Sequence, residues 1–260
     1  MSIQTNFNQH IPSQVSVHHV ALLKPFHWLS LALQDINHHP TASLSHGLMV
    51  TLLILVTLLI SSFHVYIIAA ALTGFMLIGP IFSAALCELS HQSEQGKAVS
   101  FDSSIEGIKD KQDPLIHFSA ILLGASFVWF LLSALVLLAT VGDIAPSLEQ
   151  VLWGNMFDTI TPLQIAVYAA VGGLLACIVF VVTVVSVPAI IDHNMPALDA
   201  MAVSTKVTLE NLPTMFVWAA LIALLTGIAF ATYLVGMIVI YPLLSHATWH
   251  AYRDLVENKA

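Results

Sequence analysis

The chain has 260 residues, of which 58% are apolar and only 8% are Asp, Glu, Lys or Arg, against roughly 25% charged in soluble domains. So little charge cannot clothe a soluble domain, and two cysteines do not make a disulfide scaffold. Seven basic residues within a formal net charge of −8 leave too little positive surface to neutralise a phosphate backbone, which excludes nucleic-acid binding.

In chain order, residues 1–24 read as a polar, flexible tail. They hold no apolar run long enough for a secretory signal, so the first span is expected to serve as an uncleaved insertion signal. In the next segment Phe26, Leu29, Leu33 and Ile36 recur at helical spacing, with Trp28 suited to the headgroup zone. This predicts a short helix lying along the inner leaflet. Four stretches then carry no Asp, Glu, Lys or Arg: residues 36–87, 114–142, 159–191 and 211–252. About 20 residues cross the hydrocarbon core, so the second and third hold one span each, while the first and last are long enough for two. Ser61-Ser62-Phe63-His64 breaks the first into a hairpin; Ala229 to Tyr233 is a weaker break in the last.

Basic residues choose between five spans and six. Lys24, Lys97, Lys109, Lys111, Lys206, Arg253 and Lys259 all fall on one side of the membrane if there are six, as the cytoplasmic bias of Lys and Arg requires. The expected architecture is therefore an all-α membrane protein. Its six transmembrane helices, at about residues 44–62, 65–87, 115–141, 163–190, 213–230 and 233–252, form three helical hairpins in a single domain over 25–256. Short interfacial helices lie on the cytoplasmic side, where both termini also sit.

The hairpins share a loose plan. A mixed polar segment and a proline (Pro40, Pro114, Pro213) precede each first span, and each second span has a proline near its cytoplasmic end, at Pro80, Pro188 and Pro242. A proline there removes an amide donor and predicts a kink. Small residues at intervals of four, Ala219, Ala223, Gly227 and Ala231 in span five and Ala169, Gly173 and Cys177 in span four, predict faces for close helix packing. Cys87 and Cys177 read as small core residues.

Thirteen histidines outnumber the seven basic residues. None sits at the centre of a predicted span, which excludes the facing histidines of a haem-copper centre. The candidate metal ligands are His246 and His250, one helical turn apart, with Glu88, His91, Asp192 and His193 at matching helix ends. The acid of a metalloprotease motif is missing between the two, and interfacial or structural roles compete with ligation. No acid lies mid-span, which disfavours an ion-coupled carboxylate, and no phosphate loop, nucleophile elbow or catalytic carboxylate pair is found.

Leu31-Ala-Leu-Gln-Asp-Ile-Asn-His-His-Pro40, Gly74-Phe-Met-Leu-Ile-Gly-Pro80 with Glu88-Leu-Ser90, Val187-Pro-Ala-Ile-Ile-Asp192 and Pro242-Leu-Leu-Ser-His-Ala-Thr-Trp-His-Ala-Tyr-Arg253 resemble the bacterial membrane family known as domain of unknown function 2189. The resemblance runs from about residue 24 to 256. It implies a multi-span protein of the proteobacterial inner membrane and supplies no catalytic residues. Relatives are sometimes labelled as similar to cytochrome c oxidase subunit I, which implies at most a respiratory association.

Three functions stay open on the sequence. The first is a non-enzymatic accessory or scaffold subunit, without cofactor, whose partners are the bilayer and the other subunits of a membrane complex. The second is a small transporter or flippase-like protein for an apolar or lipidic substrate. The third is a metal- or haem-handling protein using His246 and His250.

Overall fold

The computed structural model of the chain describes residues 15–61, 82–141 and 162–258. Strand β1 (Val15–Val17) is followed by helices α1 (Lys24–His38), α2 (Pro40–Ser61), α3 (residues 82–94) and α4 (Phe101–Gly107). A 3₁₀ turn at Lys109–Lys111 leads into α5 (Gln112–Val141). After it come α6 (Pro162–Thr183), α7 (Ser186–His193), α8 (Ala197–Glu210), α9 (Leu212–Ala231), α10 (Met237–Leu255) and strand β2 (Val256–Asn258).

The chain divides into two compact units: Met1–Leu52 with Pro80–Phe118 and Phe180–Ala260, and Leu53–Gly79 with Ser119–Val179. In the first, the largest buried side chains are aromatic: Trp28, Trp218, Trp249, Tyr252 and Phe118. Trp28 was expected among headgroups, yet it is fully buried, edge-on to Trp218 at 5.8 Å, with Nε1 donating to Asp254 at 2.7 Å. A partner for its one polar atom lets the ring leave the interface for the core. The end of the tail is also fastened. Val15–Val17 pairs antiparallel with Val256–Asn258, and Asn211 accepts from the Val20 amide at 3.0 Å while donating to the His18 carbonyl at 3.0 Å. The described part of the second unit is apolar helix, with Trp129 lying over Gly172, where an added Cβ would stand 3.0 Å from the ring.

Among the described residues two helical runs are long and apolar enough to cross a membrane, Ala170–His193 and Leu212–Ala231. A third arises if Lys24–His38 and Pro40–Val56, bent by 106° at their junction, count as one broken span. Four expected spans, at 44–62, 115–141, 163–190 and 213–230, fall on helices, whereas most of the expected second span and the outer segment after Val141 lie outside the described residues. The expected sixth span begins later than predicted: residues 232–236 form a turn with Tyr233 and Leu234 at positive φ, and α10 starts at Met237. Helix α10 falls short of a candidate span because its C-terminal half carries His246, His250, Arg253 and Asp254.

The predicted proline kinks have local causes. Pro188 follows a break at residues 184–185 between α6 and α7. There the Ser204 hydroxyl enters the helical ladder, accepting from the Val185 amide at 3.4 Å and donating to the Val181 carbonyl at 2.9 Å. Pro242 lies inside α10 and strips the Ile238 carbonyl of its helical donor. Gly47 of α2 approaches that carbonyl so closely that a Cβ would stand 2.0 Å from the oxygen. Pro80 lies outside the described residues.

Candidate functional site

The polar chemistry of the first unit gathers where α1, α2, α3 and α10 meet. Helix α10 presents His246 and His250 on one face, four residues apart. Asp35 comes from the last turn of α1, Ser43 from the first turn of α2 and Ser90 from α3. His246 Nδ1 lies 2.7 Å from Ser90 Oγ, His246 Nε2 lies 3.0 Å from Ser43 Oγ, and Ser90 Oγ donates to Asp35 Oδ2 at 2.7 Å. His250 Nε2 donates to the same carboxylate oxygen at 2.9 Å.

These contacts assign the protons. The single hydroxyl hydrogen of Ser90 goes to the carboxylate, so Ser90 Oγ must accept from His246 Nδ1–H. In the neutral imidazole Nε2 then has a free lone pair, and Ser43 donates to it. A directed chain results, from Ser43 through His246 and Ser90 to Asp35, with His250 closing on the same acid. Ser43 and His246 have no exposed surface, whereas the side chains of Asp35 and His250 are 16% and 12% exposed. Burial alone raises the Asp35 carboxyl, but hydrogen bonds from His250 and Ser90, with the fields of His246 and His250, outweigh it and hold Asp35 below its ordinary value. One turn along α2, His46 donates from Nδ1 to the Ala42 carbonyl at 2.9 Å and rests against Phe101, with Nε2 3.3 Å from Ser104 Oγ.

A second cluster joins α3, α7 and α10. Lys111 Nζ lies 2.7 Å from Glu88 Oε2, Gln92 donates to Glu88 Oε1 at 2.9 Å, and His91 Nδ1 stands 3.5 Å from the carboxylate. Burial pushes Glu88 up, but bonds from His91, Lys111 and Gln92 and the charge of Lys111 bring it below its ordinary value. Asp192 accepts from the Tyr252 hydroxyl at 2.9 Å and has His193 at 3.2 Å and Arg253 at 3.6 Å. Arg253 also reaches Glu94 at 3.3 Å, whose other oxygen accepts from Trp249 Nε1 at 2.8 Å, and His91 stacks on Trp249.

The structure therefore brings His246 and His250 together, but around Asp35 and two serines. Among the described residues no group of three or more His, Cys, Asp or Glu is arranged to hold a metal ion. Glu88, His91, Asp192 and His193 belong to the second cluster. Among the described residues no side chain packs onto the open positions of the small-residue ladders. Ala219 is half-buried, Ala223, Gly227, Gly173 and Cys177 are exposed, and a Cβ added to Gly173 or Gly227 meets nothing within 4 Å. The side chain of Ala169 lies outside the described residues. Cys87 is buried as expected, its thiol directed at the Ser245 carbonyl, while Cys177 is not a core residue.

Asp35, Ser43, Ser90 and Gly47 went unmarked in the sequence, yet each left a signal. Asp35 is the only charged residue between Lys24 and Glu88, and Ser43, Gly47 and Thr51 form a small-residue ladder that is buried in the fold. The order hydroxyl, imidazole, carboxylate is that of a nucleophilic triad. Here the nucleophile position is wholly enclosed and a second hydroxyl separates imidazole from acid. The arrangement can pass or hold a proton along its length and fasten four helices together.

No curated protein and no solved structure matches the chain. Residues 67–192 match the sequence model of the family described as predicted integral membrane protein (DUF2189), the family that the sequence resembles.

Proposed function

We propose that the chain is a non-enzymatic, six-span protein of the bacterial inner membrane, with both termini cytoplasmic and interfacial helices on that side. In this reading it is an accessory or scaffold subunit of a larger membrane complex, such as a respiratory one. The observation that carries the reading is the open ladder on α9. Ala223 and Gly227 of a candidate span are exposed, and the space beside Gly227 is empty to 4 Å. Small residues let helices approach closely, and this face is left for a helix of another subunit. An even number of crossings is supported by the ladder between Val15–Val17 and Val256–Asn258, since two hydrogen-bonded segments share one side of any bilayer. The enclosure of Ser43 and His246 favours a structural over a catalytic role for the relay.

The test is mild extraction from the native membrane with mass spectrometry of what co-purifies. A stoichiometric partner that is lost on Ala223→Leu with Gly227→Leu, while the variant remains folded, is expected. Recovery of the free monomer under every gentle detergent overturns the reading. A transporter or flippase is the second reading, favoured by the broken helix at residues 184–185, where backbone groups are handed to Ser204. Lipid-dependent transport by the purified monomer in vesicles would support it.

A further inference from the structure

Helix α1 divides lengthwise into three sectors when its residues are placed at about 100° each. Pro25, Trp28, Ala32 and Ile36 form a buried sector, and His27, Ser30, Gln34, Asn37 and His38 form an exposed polar one. Between them runs a narrow strip of Phe26, Leu29 and Leu33, in which Phe26 is 52% and Leu33 47% exposed, preceded by the exposed Leu22 of the turn before the helix. Among the described residues no side chain covers Phe26 or Leu33, and Leu29 is half-buried between them, although the rest of α1 is sorted into packed and polar faces.

Helix α8 repeats the scheme in the same rotational order. Ala200, Val203, Ser204 and Val207 are buried, the polar side carries the half-buried Asp199 and the exposed Glu210, and Leu198 and Leu209 stand exposed between the two sectors, beside the small, buried Ala202. The strip does not end with the helix. Leu209 is 58% exposed, and across Asn211 the candidate span α9 opens with Leu212 exposed and Phe216 78% exposed. Residues leading to Leu22 are fastened at that same junction, through Val20 to Asn211 and from Thr214 Oγ1 to the Val20 carbonyl at 3.3 Å. Meanwhile α1 turns 106° from the start of α2, so it lies across the direction of that helix. A helix with a docked face, a wet face and a bare apolar strip fits the boundary between headgroups and acyl chains.

We propose that the bare strips of α1 and α8 are one lipid-docking surface, with Phe26, Leu33 and Leu209 immersed in the acyl boundary of the cytoplasmic leaflet and Gln34 and Glu210 in water. The occupant is bilayer lipid rather than a protein helix, because the strip runs on without interruption into the exposed face of a candidate span. The inference rests on the membrane-spanning reading of α9 and adds to it which helices touch lipid and at which residues.

The test uses full-length protein with Cys177→Ala, reconstituted in vesicles of phosphatidylethanolamine and phosphatidylglycerol. Nitroxide labels are placed singly at Phe26→Cys, Leu33→Cys, Leu209→Cys, Gln34→Cys and, as a span control, Leu224→Cys. Collision with oxygen is expected to exceed collision with a water-soluble nickel chelate at positions 26, 33, 209 and 224, and to fall below it at 34. Chelate access at 26, 33 and 209 with position 224 in lipid overturns the docking surface and leaves the span standing. Immobile labels at 26 and 33 that meet neither reagent would mean a protein partner, such as a second copy, and also overturn it. Water access at 224 sinks the spanning reading and the docking surface together.

Discussion

The two units of the chain are held by different physics. In the unit containing Asp35 and His246, polar side chains from different helices bond to one another, and Gly47 brings two backbones into near contact. In the unit of Leu53–Gly79 and Ser119–Val179, Ser126 bonds back to the Leu122 carbonyl of its own helix at 2.8 Å, while Phe127, Leu131, Leu135, Leu163 and Leu174 face outward. Lipid tails are as apolar as leucine, so covering such side chains with protein contributes little that lipid does not already provide. Specific structure in such a chain comes from close backbone approach and from bonded polar groups, and the first unit has both.

The sharpest way to break the comparison is to add one methyl group to each unit. Gly47→Ala would drive a Cβ against the Ile238 oxygen, and overpacking against backbone costs about 3 kcal/mol or more; thermal unfolding in detergent should show a large loss. Gly173→Ala meets open space and should be neutral or stabilising by up to about 1 kcal/mol, the difference in helix propensity. Equal losses at the two sites would remove the distinction.

Next in size is the relay. His246→Phe removes the partner of Ser43 and one of the two groups bonded to Ser90, and each buried polar group left unsatisfied costs about 1–3 kcal/mol. In a double-mutant cycle with Asp35→Asn the two changes should fail to add by about 1 kcal/mol, whereas additive losses would mean that the chain of bonds does not act as a unit. Ser204→Ala should cost about 1–2 kcal/mol, because the Val185 amide and Val181 carbonyl lose their shared hydroxyl.

The smallest expected effect is on acid sensitivity. Glu88 has an ordinary value of 4.5 and is lowered in the fold by Lys111, His91 and Gln92. A lowered carboxyl contributes stability that is fully present above its unfolded value and is lost as pH falls through the folded one. Melting temperature should therefore decline below about pH 4.5 in the parent, and the decline should be shallower in Glu88→Gln. An unchanged acid limb in that variant would show that the pair with Lys111 contributes nothing.

Much of the helical architecture was legible from charge-free runs, because about 20 apolar residues have few uses other than a long helix. Sidedness of α1 was half legible. Periodicity marked Phe26, Leu29, Leu33 and Ile36 as one stripe, but in the fold Ile36 turns inward with Trp28 while Phe26 and Leu33 stay bare. Apolar spacing cannot tell a protein-facing sector from a lipid-facing one. The candidate site was legible only on α10, where His246 and His250 are neighbours in sequence. Asp35, Ser43 and Ser90 arrive from three other helices, and no local spacing announces a contact across so much chain. The spacing on α9 predicted a face for close helix packing, and the space beside Gly227 on that face is open.

The pairing of Val15–Val17 with Val256–Asn258 has a consequence for chain connectivity. Hydrogen bonds close the backbone into a ring, so the place where the polypeptide begins is arbitrary with respect to the fold. A covalent linker across that ladder, with new ends opened among residues 97–100, which carry no helix or strand, would give a permuted chain of the same topology. Its old beginning and end would then be joined for good, and any fusion could be carried at the segment between α3 and α4.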